Sequence, residues 1–223
     1  MNRIFFALFF LFTFLFSPAQ QFFFNGYSIA DGLSQSVVTC IFQDSRGFIW
    51  MGTQNGLNRF NGYSFEIFTY NPDDSASISN NWIYGIAEDR AGNLWIGTKG
   101  GLNRYTRDER HFERIRYTTP YPLDVTANVY DVKCSRDGHI LINTPPVLTI
   151  CDPGKMTFSH YISPLPYDGS VKDYNIPLIE AVDGNIWIGS TRGLACFQPA
   201  EGSFRVCSQH PSGLSDDHIT ALY

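Results

Sequence analysis

The chain repeats one stretch of sequence, QDSRGFIWMGTQNGLNRF at residues 43–60, and this repetition decides the fold. The stretch returns as EDRAGNLWIGTKGGLNRY at 88–105, as the more divergent SRDGHILINTPPVLTIC at 135–151, and as AVDGNIWIGSTRGLACF at 181–197. The turn glycines, Gly47, Gly92, Gly138 and Gly184, are spaced by 45, 46 and 46 residues. A period of this length is typical of propellers and other repeat architectures.

Each unit contains the pattern of four short strands. In the first unit they cover residues 37–42, 48–53, 57–60 and 63–70, separated by turns at Asp44 to Gly47, around Asn55-Gly56 and at Asn61-Gly62. Asn-Gly pairs supply the positive φ angles of tight hairpins, and a turn aspartate can bond its own backbone. Four hairpin-linked strands per repeat predict an all-β fold of propeller blades in an incomplete, open array of about four and a half blades.

The second predicted strand carries a tryptophan in most units, at Trp50, Trp95 and Trp187, with Leu141 at the equivalent position of the divergent unit. Because a single blade buries little apolar surface, we expect these side chains to pack between blades. A glycine two residues further on is consistent with a strand end where a side chain would obstruct a neighbour. These tryptophans and the four turn glycines are therefore predicted to be structural.

The repeats divide the chain into seven segments. An apolar run follows Arg3 and ends at Phe16, which is too short to cross a bilayer as a helix, and small residues precede a cut after Ala19. We therefore expect export by a signal peptide, with an uncleaved anchor as the alternative. The predicted segments are a signal peptide at 1–19, a lead at 20–31, blades at 32–78, 79–124, 125–170 (degenerate) and 171–212, and the start of a truncated fifth repeat at 213–223.

Composition and charge exclude several classes of protein. Sixteen basic against 21 acidic residues give a net charge of −5, which provides no electrostatic reason to expect nucleic acid as a partner. The five cysteines include no closely spaced pair, and the five histidines stand apart, so we predict no metal site, no cofactor and no catalytic residue.

The repeated pattern, with Gly-Leu-Ser opening the first unit at Gly32, resembles the two-component regulator propeller repeat over residues 32 to 223. The third unit lacks the tryptophan, and the fourth has Ala195-Cys196 where Asn-Arg is usual. The resemblance implies the periplasmic sensor part of a hybrid two-component protein from Bacteroidota-like bacteria. Its implied parent is membrane-anchored and dimeric, and carries further blades and a histidine kinase core that this sequence does not contain.

The predicted function is capture of a ligand outside the cytoplasm, with an oligosaccharide as the expected ligand class. Loops between successive blades gather on one face of a propeller, and aromatic rings beside amides and carboxylates there suit a sugar. The candidate ligand-binding residues are Trp82, Tyr121, Tyr167, Tyr174, Asn81 and Asp168.

Two alternatives stay open at this point. The first is a structural or protein-binding propeller. The second is a carbohydrate hydrolase or lyase, because the Asp-containing turns loosely resemble a sialidase motif and loop carboxylates such as Asp73 and Asp74 are present.

Overall fold

The computed structural model of the protein describes residues 24–119, 128–166, 176–190, 192–207, 219 and 221–222. These residues form 16 strands in four antiparallel sheets of four strands, and the order within each sheet follows the chain. The predicted all-β class and open array of blades are therefore confirmed. The single helical element of the described part is a turn of 3-10 helix at Ile29–Asp31, and no described helix is long and apolar enough to cross a membrane.

Each sheet is one blade. The first two blades contain β1 Val38–Gln43, β2 Ile49–Thr53, β3 Gly56–Phe60 and β4 Phe65–Phe68, then β5 Ile83–Glu88, β6 Leu94–Thr98, β7 Gly101–Thr106 and β8 His111–Ile115. The next two contain β9 Asp131–Cys134, β10 Ile140–Thr144, β11 Val147–Asp152 and β12 Thr157–Ile162, then β13 Leu178–Glu180, β14 Ile186–Ser190, β15 Gly193–Gln198 and β16 Ser203–Cys207. The strands lie inside the predicted blade segments, whose exact limits stay a prediction.

The first strand of each blade is innermost, because β1, β5, β9 and β13 contact one another in succession. Turns between the first and second strands, and between the third and fourth, lie on one rim, which we call the lower rim. Connections between blades, and the hairpins between second and third strands, lie on the opposite, upper rim. The two rims bring different side chains together.

The hairpin at the upper rim of blade 1 differs from the predicted Asn-Gly turn. Thr53 pairs directly with Gly56, so the loop consists of Gln54 and Asn55, and Gly56 is the first residue of β3. Gly56 has φ +116°, which a side chain rarely tolerates. Thr53 closes the loop, since its hydroxyl accepts from Asn55 N at 3.0 Å and donates to Gly56 O at 2.9 Å.

Three apolar cores join the four blades, each made by the tryptophan-bearing face of one blade and the preceding face of the next. Trp50 and Leu57 of blade 1 pack with Ile86 and Tyr105 of blade 2. Trp95 packs in the same way against blade 3, and Leu141 packs against blade 4. Burial of these faces is the hydrophobic term that one blade lacks alone.

Glycine permits the close approach of the blades at the upper-rim end of the second strand. A Cβ built on Gly52 would lie 2.8 Å from Ile83 Cγ2, and one built on Gly97 would lie 2.7 Å from Val129 O. Gly189 of blade 4 has the same relation to Ile219, at 2.7 Å from its Cγ2. Ile219 N also donates to Ser190 O at 2.8 Å, as Val129 N donates to Thr98 O at 3.0 Å. Ile219 therefore occupies the place that begins a blade elsewhere in the chain.

The two outer faces of the four-blade array are less covered. Ile41 of blade 1 is 69% exposed, whereas Ile86, its equivalent in blade 2, is 5% exposed. Tyr27 of the lead packs on the outer strands of blade 1, with its ring centroid 4.8 Å from that of Phe60. Trp187 at the other end of the array is half-buried, in contrast to Trp50 and Trp95.

Candidate functional site

The turn aspartate and the strand tryptophan of the repeat are bonded to each other. Trp50 Nε1 donates to Asp44 Oδ2 at 2.7 Å, and Trp95 Nε1 donates to Asp89 Oδ2 at 2.9 Å. The other oxygen of Asp44 accepts from the backbone N–H groups of Arg46 and Phe48. These carboxylates hold the turn and the buried indole, which is a structural task.

Blade 3 changes both members of this pair, whereas blade 4 keeps the tryptophan, Trp187, and changes only the aspartate. Ser135 replaces the aspartate in blade 3, where its Oγ accepts from His139 N at 2.9 Å, and the side chain of Leu141 has no N–H that needs an acceptor. Ala181 replaces it in blade 4, where Asp183 bonds the turn through Asn185 N instead.

A second repeated network fixes the upper rim. In blade 1, the amide of the buried Asn58 accepts from Ser34 N at 2.9 Å and donates to Ser34 Oγ at 2.8 Å. Ser34 Oγ also lies 2.9 Å from Thr53 Oγ1. Blade 2 repeats these distances with Asn103, Ser79 and Thr98. The segment entering each of these blades is therefore tied to the hairpin beside it, which gives the upper rim a defined shape.

Trp82 lies on this rim, directly before the innermost strand of blade 2. The backbone N–H of Trp82 donates to Asn80 Oδ1 at 2.9 Å, and its backbone carbonyl accepts from Lys99 N at 3.0 Å. Lys99 Nζ lies 5.0 Å from the ring centroid, in cation–π contact. Tyr84 lies beyond Trp82 and stacks on Tyr130 of blade 3, with 5.1 Å between ring centroids. An aromatic row thus crosses the junction of blades 2 and 3.

Asn81 holds the neighbouring loop. Its side-chain Oδ1 accepts from Tyr70 N at 2.6 Å, and its backbone carbonyl accepts from Gly56 N at 2.7 Å. Both oxygens thereby support the shape of the rim beside Trp82. Four other predicted ligand residues, Tyr121, Tyr167, Asp168 and Tyr174, lie outside the described residues.

One loop carboxylate of the hydrolase alternative, Asp74, has a structural role in the loop that contains it. Asp74 Oδ1 accepts from Ala76 N at 2.9 Å, and Arg114 Nη2 donates to the Asp74 carbonyl at 3.1 Å. Asp74 therefore shapes the loop that follows β4. Among the described residues, no three His, Cys, Asp or Glu side chains gather as ligands for a metal ion.

The innermost strands are joined by side chains at the channel. Asp131 of blade 3 accepts from Leu178 N of blade 4 at 3.2 Å and from Val132 N at 2.8 Å. Burial raises the pKa of Asp131, opposed by the ammonium of Lys133 at 3.3 Å. In blade 1, Thr39 Oγ1 donates to Ile83 O of blade 2 at 2.6 Å.

An ion cluster links blades 1 and 2 at the lower rim. Arg107 Nη2 lies 3.1 Å from Asp44 Oδ2 and 3.0 Å from Glu88 Oε1, and the side chain of Arg107 is 9% exposed. Glu88 in turn accepts from Ser45 N at 2.7 Å. The cluster joins a turn of one blade to the inner strand and outer turn of the next.

Sequence reasoning missed several of these residues. Tyr84 and Tyr130 occupy equivalent positions 46 residues apart, so the repeat alignment contained a signal for them. Lys99 and Arg107 carry no such signal, because they occupy turn positions that the other units fill with different residues.

Comparisons with known proteins agree with the repeat. The profile of the family described as "Two component regulator propeller" matches residues 32–55 and 77–100. A 60-residue stretch is 50% identical to the protein named "Histidine kinase P4" of Formosa agariphila, and covers 27% of this chain and 4% of that protein.

Solved structures show the same fold. The extracellular domain of a protein assigned to the hybrid two component systems of B. thetaiotaomicron superposes with a TM-score of 0.69 at 27% identity, covering 84% of this chain and 26% of that one. A second extracellular domain from B. thetaiotaomicron, of a protein assigned to the one component systems, gives 0.64 at 23% identity over 86% of this chain and 28% of that one. Virginiamycin B lyase from Staphylococcus aureus gives 0.58 at 16% identity over 81% of this chain and 59% of that one, which is a likeness of fold alone.

The chain thus spans about a quarter of the length of each of the two extracellular domains. The four observed sheets, the sequence repeat and the family match all indicate a propeller built from repeated blades. Residues 32–55 and 77–100 match the two-component regulator propeller repeat, and the chain resembles the extracellular domain of a hybrid two component system.

Proposed function

We propose that this region is part of the extracytoplasmic ligand sensor of a hybrid two-component protein, and that its ligand is an oligosaccharide. The observation that carries the proposal is the match of the family repeat together with the 27% identity to an extracellular domain of a hybrid two component system. The apolar run before Ala19 supports export of the chain. The chain itself is then a binding region, and catalysis belongs to the kinase core of the parent.

The upper rim supports the choice of ligand class. Trp82 is half-buried and is held by its backbone bonds to Asn80 and Lys99. A sugar ring that stacks on this indole would displace the ammonium of Lys99 from the ring, and the ammonium would then be available to the sugar hydroxyl groups. Tyr121, Tyr167, Asp168 and Tyr174 stay proposed contacts of the ligand, and Asn81 supports the loop beside Trp82.

The proposed parent spans the membrane and acts as a dimer. Ligand binding would be reported to the kinase only if it favours one arrangement of the two ectodomains over another. The proposed outcome is transcription of genes for use of the glycan.

Calorimetry of the intact parent ectodomain against a panel of glycan fragments tests the proposal. We expect one fragment to bind, and we expect Trp82→Ala to weaken its binding about tenfold or more, which corresponds to the loss of one stacking contact of about 1.4 kcal/mol. Tyr63→Ala is the matched control, because Tyr63 is 96% exposed on a lower-rim turn.

The outcomes separate the three functions. If no fragment of a broad panel binds, the result would favour a protein-binding propeller. Cleavage of a fragment by the purified ectodomain would favour the hydrolase or lyase.

A further inference from the structure

A cleft of about 320 Å³ opens at the lower rim between blades 2 and 3. Asp89 and Arg90 of blade 2 line one side, and turn residues of blade 3 line the other, among them Asp137, His139, Asp152 and Pro153. Nothing in the proposed ligand-sensing function uses this rim, which is opposite to Trp82.

The same place between blades 1 and 2 is filled by a guanidinium group. Arg107 follows β7, whose last pair is Thr106 with His111, just as Pro153 follows β11, whose last pair is Asp152 with Thr157. The two turns also share a positive φ at their fourth residue, +54° at Arg110 and +53° at Met156. Pro153 is therefore the structural equivalent of Arg107, and the cleft is the equivalent of the Arg107 site.

Two substitutions between the repeats open the cleft. Pro153 lacks the guanidinium, and Cys134 stands where Glu88 accepts from the adjacent turn in blade 2. The aspartate that binds Arg107 is retained, because Asp89 is the equivalent of Asp44. Its Oδ2 accepts from Asn93 Nδ2 at 3.0 Å, so an incoming guanidinium would share or replace this amide donor. The cleft thus keeps the carboxylate of a guanidinium site after the guanidinium itself has been lost.

The charges around the cleft favour a cation. Burial alone would raise the pKa of Asp137, but hydrogen bonds from Ser135 and His139 outweigh it and lower the pKa to about 2. Bonds from the backbone N–H and side chain of Lys155 lower the pKa of Asp152. Both groups are therefore ionised at neutral pH. Together with Asp89 they make three carboxylates against two permanent cations, Arg90 of the lining and Lys155, whose Nζ lies 3.2 Å from Asp152 Oδ2.

Arg90 contacts the adjacent turn of blade 3. It is the equivalent of Ser45, and its guanidinium donates to the carbonyl of Arg136 and lies against Gly138 in the next turn. Arg90 thereby joins the two turns at the edge of the cleft.

We propose that this cleft is a binding site for a guanidinium group supplied from outside the blades, in the form of an arginine side chain. The incoming group takes the place that Arg107 takes in the neighbouring interface, with Asp89 at the inner end of the cleft and Asp137 and Asp152 at its mouth. The planar guanidinium forms several directed hydrogen bonds to carboxylates, which a lysine ammonium does not reproduce.

Calorimetry at low salt with capped arginine amide tests the site in the full chain. Capped citrulline amide, the neutral isostere, and capped lysine amide are the comparison ligands. We expect one arginine to bind per chain, with citrulline undetectable and lysine about fivefold weaker or more. If free arginine and capped arginine amide bind equally well, the site recognises the side chain alone, as it would in an arginine of a partner protein. Tighter binding of free arginine than of the capped amide would indicate a small-molecule ligand instead.

Variants locate the site. Asp137→Asn and Asp152→Asn should each weaken binding about three- to fivefold, whereas Asp108→Asn, an exposed acid of the equivalent turn in blade 2, should leave it unchanged. Pro153→Arg combined with Cys134→Glu rebuilds the internal cluster and should abolish binding without unfolding the chain. Equal binding of citrulline or lysine, or binding that survives this double substitution, would overturn the proposal.

Discussion

Trp50 and Asp44 form one buried hydrogen bond of 2.7 Å that joins a turn, a strand and a blade interface. The carboxylate fixes the turn through its other oxygen, and the indole packs against Tyr105 of the next blade, with 5.5 Å between centroids. One residue pair therefore couples the local geometry of a blade to its stacking. The recurrence of the pair as Trp95 and Asp89 explains the spacing of six residues in the repeat.

Removing the acceptor of this pair should destabilise the protein strongly. We expect Asp44→Ala to lower the free energy of unfolding by about 2–4 kcal/mol, because the indole N–H, two backbone N–H groups and Arg107 lose a partner. Chemical denaturation of the intact ectodomain measures this. In a Trp50→Phe background the same change should cost about 1 kcal/mol less. If the effects of the two substitutions on the free energy of unfolding are strictly additive, the hydrogen bond between the indole and Asp44 contributes nothing to stability.

Gly97 should not tolerate a side chain. A Cβ at this position would lie 2.7 Å from the backbone oxygen of Val129, so Gly97→Ala should push blades 2 and 3 apart and cost about 1–3 kcal/mol in the free energy of unfolding. Gly26→Ala is the control, because no atom lies within 4 Å of its Cβ. Equal stability of the two variants would contradict the close packing of the blades.

The carboxylate of Asp137 should contribute stability that disappears in acid. Its folded pKa of about 2 is below the ordinary value of 3.8, so the contribution is complete above about pH 4 and is lost as the pH falls toward 2. Asp137 is 66% exposed, so screening by solvent keeps this contribution below about 1 kcal/mol.

Asp137→Asn measures this contribution by denaturation across the pH range. The difference from the unsubstituted protein should be constant between pH 5 and 7, should shrink as the pH falls below about 4 and should vanish below about pH 2. A stability difference that grows as the pH falls would contradict this prediction.

The open face of blade 1 should make residues 20–223 associate when produced alone. Ile41 is 69% exposed, whereas its equivalent Ile86 in blade 2 is 5% exposed, and Val37 is 52% exposed. Open sheet faces favour association. We expect Ile41→Lys to reduce association, as measured by analytical ultracentrifugation. A monomer with a sharp two-state melt before any substitution would contradict this expectation.

The repeat pattern was sufficient to predict the blades. A period of 45 or 46 residues, alternating strands and turn glycines is local information, and the four sheets follow from it. The Gln54-Asn55 loop was misplaced by one residue, because an Asn-Gly pair also fits a turn in which Gly56 begins the next strand. Hairpin type depends on where the strand pairing ends, and the sequence leaves that choice open.

Contacts that depend on unrepeated residues were beyond prediction. Arg107 reaches Asp44 across 63 positions of the chain, and Lys99 covers Trp82 from the adjacent hairpin. The cleft exists because Pro153 and Cys134 depart from the second unit, and its significance becomes visible only when Arg107 is seen in the equivalent place. Divergence between repeats, more than their agreement, marks these positions.

The most direct measurement of the central claim is transcription driven by the full-length parent in its own bacterium. A reporter gene under control of the parent should respond to the glycan that binds the ectodomain, and the response should be lost with Trp82→Ala while Tyr63→Ala leaves it intact. A reporter that responds equally with Trp82→Ala, or that ignores every glycan the ectodomain binds, would contradict a sensing role for the upper rim.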